Sequence, residues 1–457
     1  MKNKLSKIIW ILFPIMNNIF SLLTIKIISY TSEISEFGEF NLIKSLVLIF
    51  TPIISMGLPQ ALIRFIPIDN NKKRVFLSNI LKLSNKIFII GSIISGLIIY
   101  LSRGLLDITF ITISTVISIS LYMYFQNYGN ILVSIERAEL NLRSYNLYTF
   151  FSNIIFIIVF ISIKRVYNVI NSFYISYSIA YILMNILYIL RRKYIDKTVN
   201  VNFNIENIRE IFEYGIPMVG INLAGIILSV GDRFVLNYFV TISEVGLYSG
   251  LYSIANGIWS VIFMLISSYL SPMYIRLYKQ SGEEAVKIFI NKIFNLLLSL
   301  TIGATIFMGM FNKEVIGIFL NKRYYGDGAL LVIIFIGNIL YGFYYLATTE
   351  YHLIKNTKIL MKCIVFTGIL NMVFNILFVP IWGCRGAGLA TILAYIILVA
   401  LTYKKQKLIV FRINHKMNFL NIMVLATLIS IVSTFKLYSM VYFFLFLIIY
   451  LFIYIIK

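Results

Sequence analysis

Lys26 stands in the apolar run SLLTIKIIS and the pair Asp232-Arg233 in IILSVGDRFVL, each embedded among residues that otherwise carry no charge. A charge in such a run is costly unless it faces a water-filled cavity, pairs with another group, or reaches back to the interface along its own alkyl stem. Lys26 and Arg233 therefore admit two readings: cations that capture an anion inside the protein, or side chains that extend to the outer surface of a membrane. Asp232 precedes Arg233, but neighbouring helical residues point about 100° apart, so the two need not pair. It reads either as an ion-coupling site or as a structural partner for another helix. Lys44, near the outer end of a second apolar run, reads either as an interfacial anchor or as a further cation that binds the anion. Arg64 and Arg276 stand at the opposite ends of two matching runs, where they either meet an entering anion or simply hold the chain in place. Glu136 and Glu350 close two further runs and are candidates for a gate with those arginines.

These side chains must be positioned by membrane-spanning helices. The chain has 457 residues, 60% of them hydrophobic and 13% charged, with a mean hydropathy of +0.89. A helix needs about 20 apolar residues to cross the hydrocarbon core. On that criterion fourteen spans are expected, near residues 8–30, 40–63, 80–102, 108–134, 145–164, 168–190, 211–238, 246–270, 287–310, 328–350, 359–380, 386–403, 419–435 and 438–456. The fold class is all-α and polytopic. With the N-terminus placed in the cytoplasm, 29 of the 40 basic residues fall on the cytoplasmic side and 8 on the outer side. That asymmetry is the positive-inside pattern and puts both termini in the cytoplasm. It also accounts for the formal charge of +22 without a nucleic-acid partner, because the basic residues are dispersed between spans and not gathered on one face.

The chain repeats itself. ISEFGEFN at Ile34 to Asn41 returns as ISEVGLYS at Ile242 to Ser249, an offset of 208 residues that matches Gly38 with Gly246 and Glu36 with Glu244. Arg64 and Arg276 follow at an offset of 212, and Glu136 and Glu350 at 214; Lys26 maps to Phe234, one residue from Arg233. Six helices followed by six more keep the same orientation, which predicts two lobes related by an axis along the membrane normal. The expected divisions are 1–195 and 196–407 for the two six-helix lobes and 408–457 for an additional C-terminal helix pair. The shared glycine is expected to allow the tight turn at which the chain re-enters the membrane, with the acidic residue favoured at the start of the following helix. Pro14, Pro52 and Pro217 are expected to kink spans that line a cleft.

Other chemistries find little support. Cys363 and Cys384 are separated by 21 residues, about 30 Å along a helix, too far for a disulfide. His352 and His415 have no partner at metal-ligand spacing, so neither a metal nor another cofactor is expected. No phosphate-binding glycine loop is present, and no soluble domain is long enough to carry a catalytic site.

Three stretches carry a family resemblance: EFGEFNLIKSLVLIFTPIISMGLPQALIRF; YGIPMVGINLAGIILSVGDRFVLNYFVTISEVGLYSGLYSIA; and YHLIKNTKILMKCIVFTGILNMVFNILFVPIWGCRGAGLATILAY. Together they resemble the polysaccharide flippase branch of the multidrug/oligosaccharidyl-lipid/polysaccharide exporter superfamily, the branch of the bacterial O-antigen translocases. The resemblance implies a non-enzymatic carrier of undecaprenyl diphosphate-linked oligosaccharide, moving it from the cytoplasmic to the outer leaflet of the bacterial inner membrane by alternating access. It implies membrane lipid and polysaccharide polymerase machinery as partners. On that reading Arg233 grips the diphosphate through its planar fork and Lys26 as a point charge.

Two alternatives follow other lines. An exporter of drug-like cations from the same superfamily should expose carboxylates, and Asp232 is the only acidic residue well inside a span. A membrane polysaccharide polymerase should carry a large outer loop, and the largest expected here, NKEVIGIFLNKRYYGDG, is short.

Overall fold

The computed structural model describes residues 2–66, 70–106, 108, 111–139, 141–191, 205–354, 357–406 and 411–414. The C-terminal pair expected within 408–457, and His415 with it, lie outside the described residues apart from 411–414. Every regular element among the described residues is helical. In chain order they are α1 (Lys2–Thr31), α2 (Ile34–Ser55), α3 (Leu58–Phe65), α4 (Asn70–Ser102), α5 (Ile113–Ala138), α6 (Leu142–Ile163), α7 (Val169–Arg191), α8 (Ile205–Val230), α9 (Asp232–Phe239), α10 (Ile242–Met310), α11 (Asn312–Phe319), α12 (Gly328–Leu353) and α13 (Thr357–Lys404).

The first twelve expected spans each fall on one of these helices, with instructive differences. The second span is broken into α2 and α3 at Met56 and Gly57, which take left-handed φ of 48° and 73°, and a proline opens α3. The seventh is divided into α8 and α9 at Gly231. Conversely, α10 and α13 each hold two expected spans, joined at Gly282 (φ 76°, ψ −167°) and Gly383 (φ 53°, ψ −132°). The short outer loop expected after residue 310 is ordered as α11 and a 3₁₀ turn over Lys322–Tyr324.

Nine helical segments among the described residues, two of them within α10, are long and apolar enough to cross a membrane. The helix α5 is not one of them, although it is the fourth expected span. Its Ser, Tyr, Gln and Asn residues lower its hydropathy, and the helix is tolerated because twelve of its residues are buried within the protein. By contrast α4 presents Ile90, Ile94, Leu97 and Leu101 outward, the pattern of a lipid-facing surface.

The helices form two compact units, Met1–Gly246 and Leu247–Lys457. In the first, α5 packs on α7 and α4, α6 on α7 and α1, and α8 on α2 and α3. In the second, α12 packs on α13, Gly342 of α12 lies against the Trp259 ring of α10, and Gly250 lies against Tyr324. Because lipid is as apolar as leucine, such packing and internal polar links, rather than water exclusion, hold the spans together. Several hydroxyls are satisfied on their own helix: Thr24 donates to the Phe20 carbonyl (2.9 Å), Ser45 to that of Asn41 (2.7 Å) and Thr51 to that of Val47 (2.7 Å). Cys363 and Cys384 are both buried.

Candidate functional site

The repeated motif opens α2 and α10. Glu36 supplies the expected first-turn carboxylate: it accepts the Glu33 backbone N–H (3.1 Å) in a capping box. In the second copy the Glu244 N–H donates to the Thr241 hydroxyl (3.3 Å). The glycines do not do what the sequence suggests. Gly38 and Gly246 lie inside their helices, beyond the turns, and neither has positive φ. They instead let two helices touch. A Cβ on Gly38 would stand 2.2 Å from the Ile242 carbonyl oxygen, and one on Gly246 would stand 2.0 Å from that of Ile34. The contact is reciprocal, as an axis relating the two copies requires.

A second glycine contact lies at the other end of α2. A Cβ on Gly57 would meet the Gly215 carbonyl oxygen at 2.2 Å, and one on Gly215 would meet that of Met56 at 2.7 Å. Pro52 and Pro217 lie inside α2 and α8, within five residues of this contact on either strand of it. Gly220 and Gly225 have open space around them.

Of the predicted cations, Lys44 lies on α2 between these contacts, while Lys26 lies on α1 and Arg233 on α9. Lys26 is half-buried, five residues before the end of α1. Lys44 is ten residues into α2, deeper than an interfacial anchor at the outer end of a span, because the helix begins at Ile34 and not near residue 40. Its ammonium lies 5.9 Å from the Phe40 ring centroid and within electrostatic reach of Arg233. Arg233 is 6% exposed and donates to the Ser229 carbonyl (3.3 Å), while Asp232 is 2% exposed. Lys44 and Arg233 thus lie near one another, with the buried carboxylate of Asp232 next to Arg233 in the chain.

The remaining candidates separate. Arg64 is exposed, with its guanidinium 4.5 Å from the Tyr214 ring centroid. Arg276 is exposed and donates to Gln280 (3.1 Å). Glu136 is 1% exposed and accepts the Tyr188 hydroxyl of α7 at 2.6 Å; Glu350 is 2% exposed. The internal symmetry extends to this region: Glu136 and Glu350 are buried near the ends of α5 and α12, and those two helices are capped at Thr112 and Asp327. Among the described residues no three His, Cys, Asp or Glu side chains gather as metal ligands.

Sequence reading missed an amide and aromatic network within the first unit. Asn17 of α1 donates to Thr149 (3.1 Å), Asn153 donates back to Asn17 (3.1 Å), and the Tyr177 hydroxyl donates to Asn153 (3.5 Å). Tyr177 stacks on Phe156 with 3.8 Å between centroids and neighbours Tyr122 and Tyr181. The available signal was the occurrence of asparagines inside apolar runs, which are costly there unless they bond to one another.

A helical bundle with this many segments long and apolar enough to cross a membrane defines a multi-pass membrane protein. It is similar to an inward closed conformation of the lipid II flippase MurJ, with a TM-score of 0.71 at 18% identity over 98% of this chain and 97% of that one. It is also similar to an inward-facing multidrug resistance MATE transporter of the MOP superfamily, with a TM-score of 0.61 at 14% identity over 91% and 96%. Residues 5–278 match the polysaccharide biosynthesis protein family, and the chain belongs to that family. A relative described as an uncharacterized membrane protein of Methanocaldococcus jannaschii is 26% identical over 75% of this chain and 72% of its own length. A probable low-salt glycan biosynthesis flippase of Haloferax volcanii is 21% identical over 42% and 40%. The polysaccharide side of the resemblance read from the sequence is borne out by that family match.

Proposed function

We propose that this protein is a flippase for a lipid-linked oligosaccharide, which it carries across the membrane by alternating access. The observation that carries the reading is the reciprocal contact of Gly38 and Gly246 at one end of α2, paired with the Gly57 and Gly215 contact at the other. Lys44 lies between them within reach of Arg233. Helices that touch through backbone at two separated points can part at one while holding at the other, which is what alternating access requires. The cations between would receive a diphosphate, and the prenyl tail would stay in lipid.

The finer assignments rest on the family resemblance and on the distribution of charge along the chain. Undecaprenyl diphosphate is the expected carrier, the bacterial inner membrane the location, and the distribution of Lys and Arg puts both termini in the cytoplasm. The two lobes of the repeat, 1–195 and 196–407, are the moving parts, with Lys26 and the exposed Arg64 and Arg276 guiding the anion. Asp232, Glu136 and Glu350 are candidates for coupling or gating. A cargo carrying about two negative charges moves outward down an inside-negative potential with on the order of 4–5 kcal/mol per 100 mV, so no nucleotide hydrolysis is needed. The fold is shared with multidrug exporters, but the sign of the charge near the middle of α2 favours an anionic cargo over an organic cation.

The test is reconstitution of the full chain in vesicles containing polyprenyl diphosphate-linked oligosaccharide, with a membrane-impermeant sugar-modifying enzyme outside. The protein should expose inner-leaflet substrate to the enzyme, and Lys44→Ala and Arg233→Ala should slow that exposure at least about tenfold, equivalent to 1.4 kcal/mol of lost anion binding. Exposure independent of the protein, or wild-type rates in both variants, would overturn the proposal.

A further inference from the structure

We propose that a groove on the flank of the first unit, between α4, α5 and α7, binds the headgroup and one acyl chain of an anionic phospholipid. The groove has a volume of about 420 Å³. Its α4 wall is polar: Ser78, Lys82 and Asn85 recur at i, i+4 and i+7 and so share one face. Its α7 wall is mostly apolar, with Ile182, Ile186 and Ile189 at the same spacing and Asn185 turned to the Tyr148 hydroxyl and the Phe125 carbonyl, and Ile186 is exposed toward the surroundings of the bundle. Tyr128 of α5 completes the floor.

The polar wall is a set of donors. The Tyr124 hydroxyl donates to Asn85 Oδ1 at 2.5 Å, so what Asn85 offers a ligand is its amide N–H groups. Lys82 is exposed and adds a cationic side chain, and among the described residues no carboxylate lines the groove. Ammonium, amide and hydroxyl donors facing one side, opposite a wall of isoleucines, fit a phosphodiester attached to a hydrocarbon chain.

The depth agrees. Lys82 lies nine residues from Lys73, about 14 Å along α4, and its stem can carry the charge back toward the interface. At that interface Lys73 pairs with Glu139, and α7 ends at Arg191. This is the side that the distribution of basic residues assigns to the cytoplasm, and basic pockets between helices on that side suit anionic headgroups. The tail would run inward past Ile182. The groove uses none of the residues assigned to transport, so the inference stands apart from the proposed function.

The test uses the purified full chain in detergent, equilibrated with equal amounts of phosphatidylglycerol and phosphatidylcholine, with retained lipid counted by native mass spectrometry. The wild type should retain phosphatidylglycerol in excess. Lys82→Gln should lower its retention about fivefold, Ile186→Asn should lower it without altering charge, and Lys82→Arg should preserve it. Lys86→Gln, one turn along α4 and outside the groove lining, should leave retention unchanged, and melting curves on every variant identify any that fail to fold. Equal retention of both lipids, wild-type retention by Lys82→Gln, or the same loss in Lys86→Gln would overturn the proposal. Equal retention of glycerol phosphate would show an anion site that ignores the acyl chain and would overturn it as well.

Discussion

Gly38 and Gly246 meet reciprocally, each leaving room only for a hydrogen where a side chain would strike the carbonyl oxygen of Ile242 or Ile34. The duplicated motif is therefore a contact surface, built twice because each copy receives the other. Gly38→Ala and Gly246→Ala should each force the helices apart, at a cost of roughly 1–3 kcal/mol typical of overpacking. Both should slow flipping in the vesicle assay, whereas Ser35→Ala beside them should not.

Gly57 combines the same crowding with φ of 73°, a conformation that costs a side chain roughly 1–2 kcal/mol. Gly57→Ala should accordingly lower the melting temperature more than Gly38→Ala. Gly220→Ala and Gly225→Ala, with open space at both positions, should hold or raise it through the better helix propensity of alanine, about 1 kcal/mol.

Lys44 and Arg233 act on one another, so their substitutions should not be additive. If they hold one anion, the double variant Lys44→Ala with Arg233→Ala should be little slower than the worse single variant. Independent, multiplying losses in the flipping rate would place the two in separate roles. Arg233→Lys should restore only part of the rate, because a point charge does not reproduce the guanidinium fork.

The Glu136 carboxylate is held by Tyr188 of α7 within the first unit. Removing that hydrogen bond with Tyr188→Phe should destabilise the protein by about 1 kcal/mol, in the range found for polar contacts between spans. The melting temperature should fall while the flipping rate changes less than about twofold. A loss of rate at unchanged melting temperature would assign Glu136 to a gate instead.

The orientation is accessible by labelling, since Cys363 and Cys384 are buried and give little background. Ser281→Cys and Lys322→Cys place thiols at two exposed positions on expected opposite sides. A membrane-impermeant maleimide applied to whole cells should label the second and not the first.

Much of the fold was legible because hydrocarbon leaves so few options. An apolar run of about 20 residues in lipid must satisfy its backbone internally, so α4, α6, α7 and α12 follow from composition alone. Helix α5 was legible from its length and position although its hydropathy is low. The breaks were not: nothing in TPIISMGLPQ says whether Pro52 bends α2 or the chain divides at Met56 and Gly57, because both are local solutions that only packing against Gly215 selects. Lys44 was misplaced for a related reason. A hydropathy window discards the polar first turn of a helix, and α2 begins with ISEFGE.

The sequence by itself determined the class of molecule, the order of its helices, the repeat, and the charges within apolar runs, since each depends on the cost of moving particular side chains and peptide groups out of water. Tertiary structure decided what the repeated glycines are for, which cations share a region, and which face of α4 carries a groove. Those depend on distances between segments up to 208 residues apart, which no local free energy encodes: a glycine that makes a turn and a glycine that admits another backbone are the same letter until the second helix arrives.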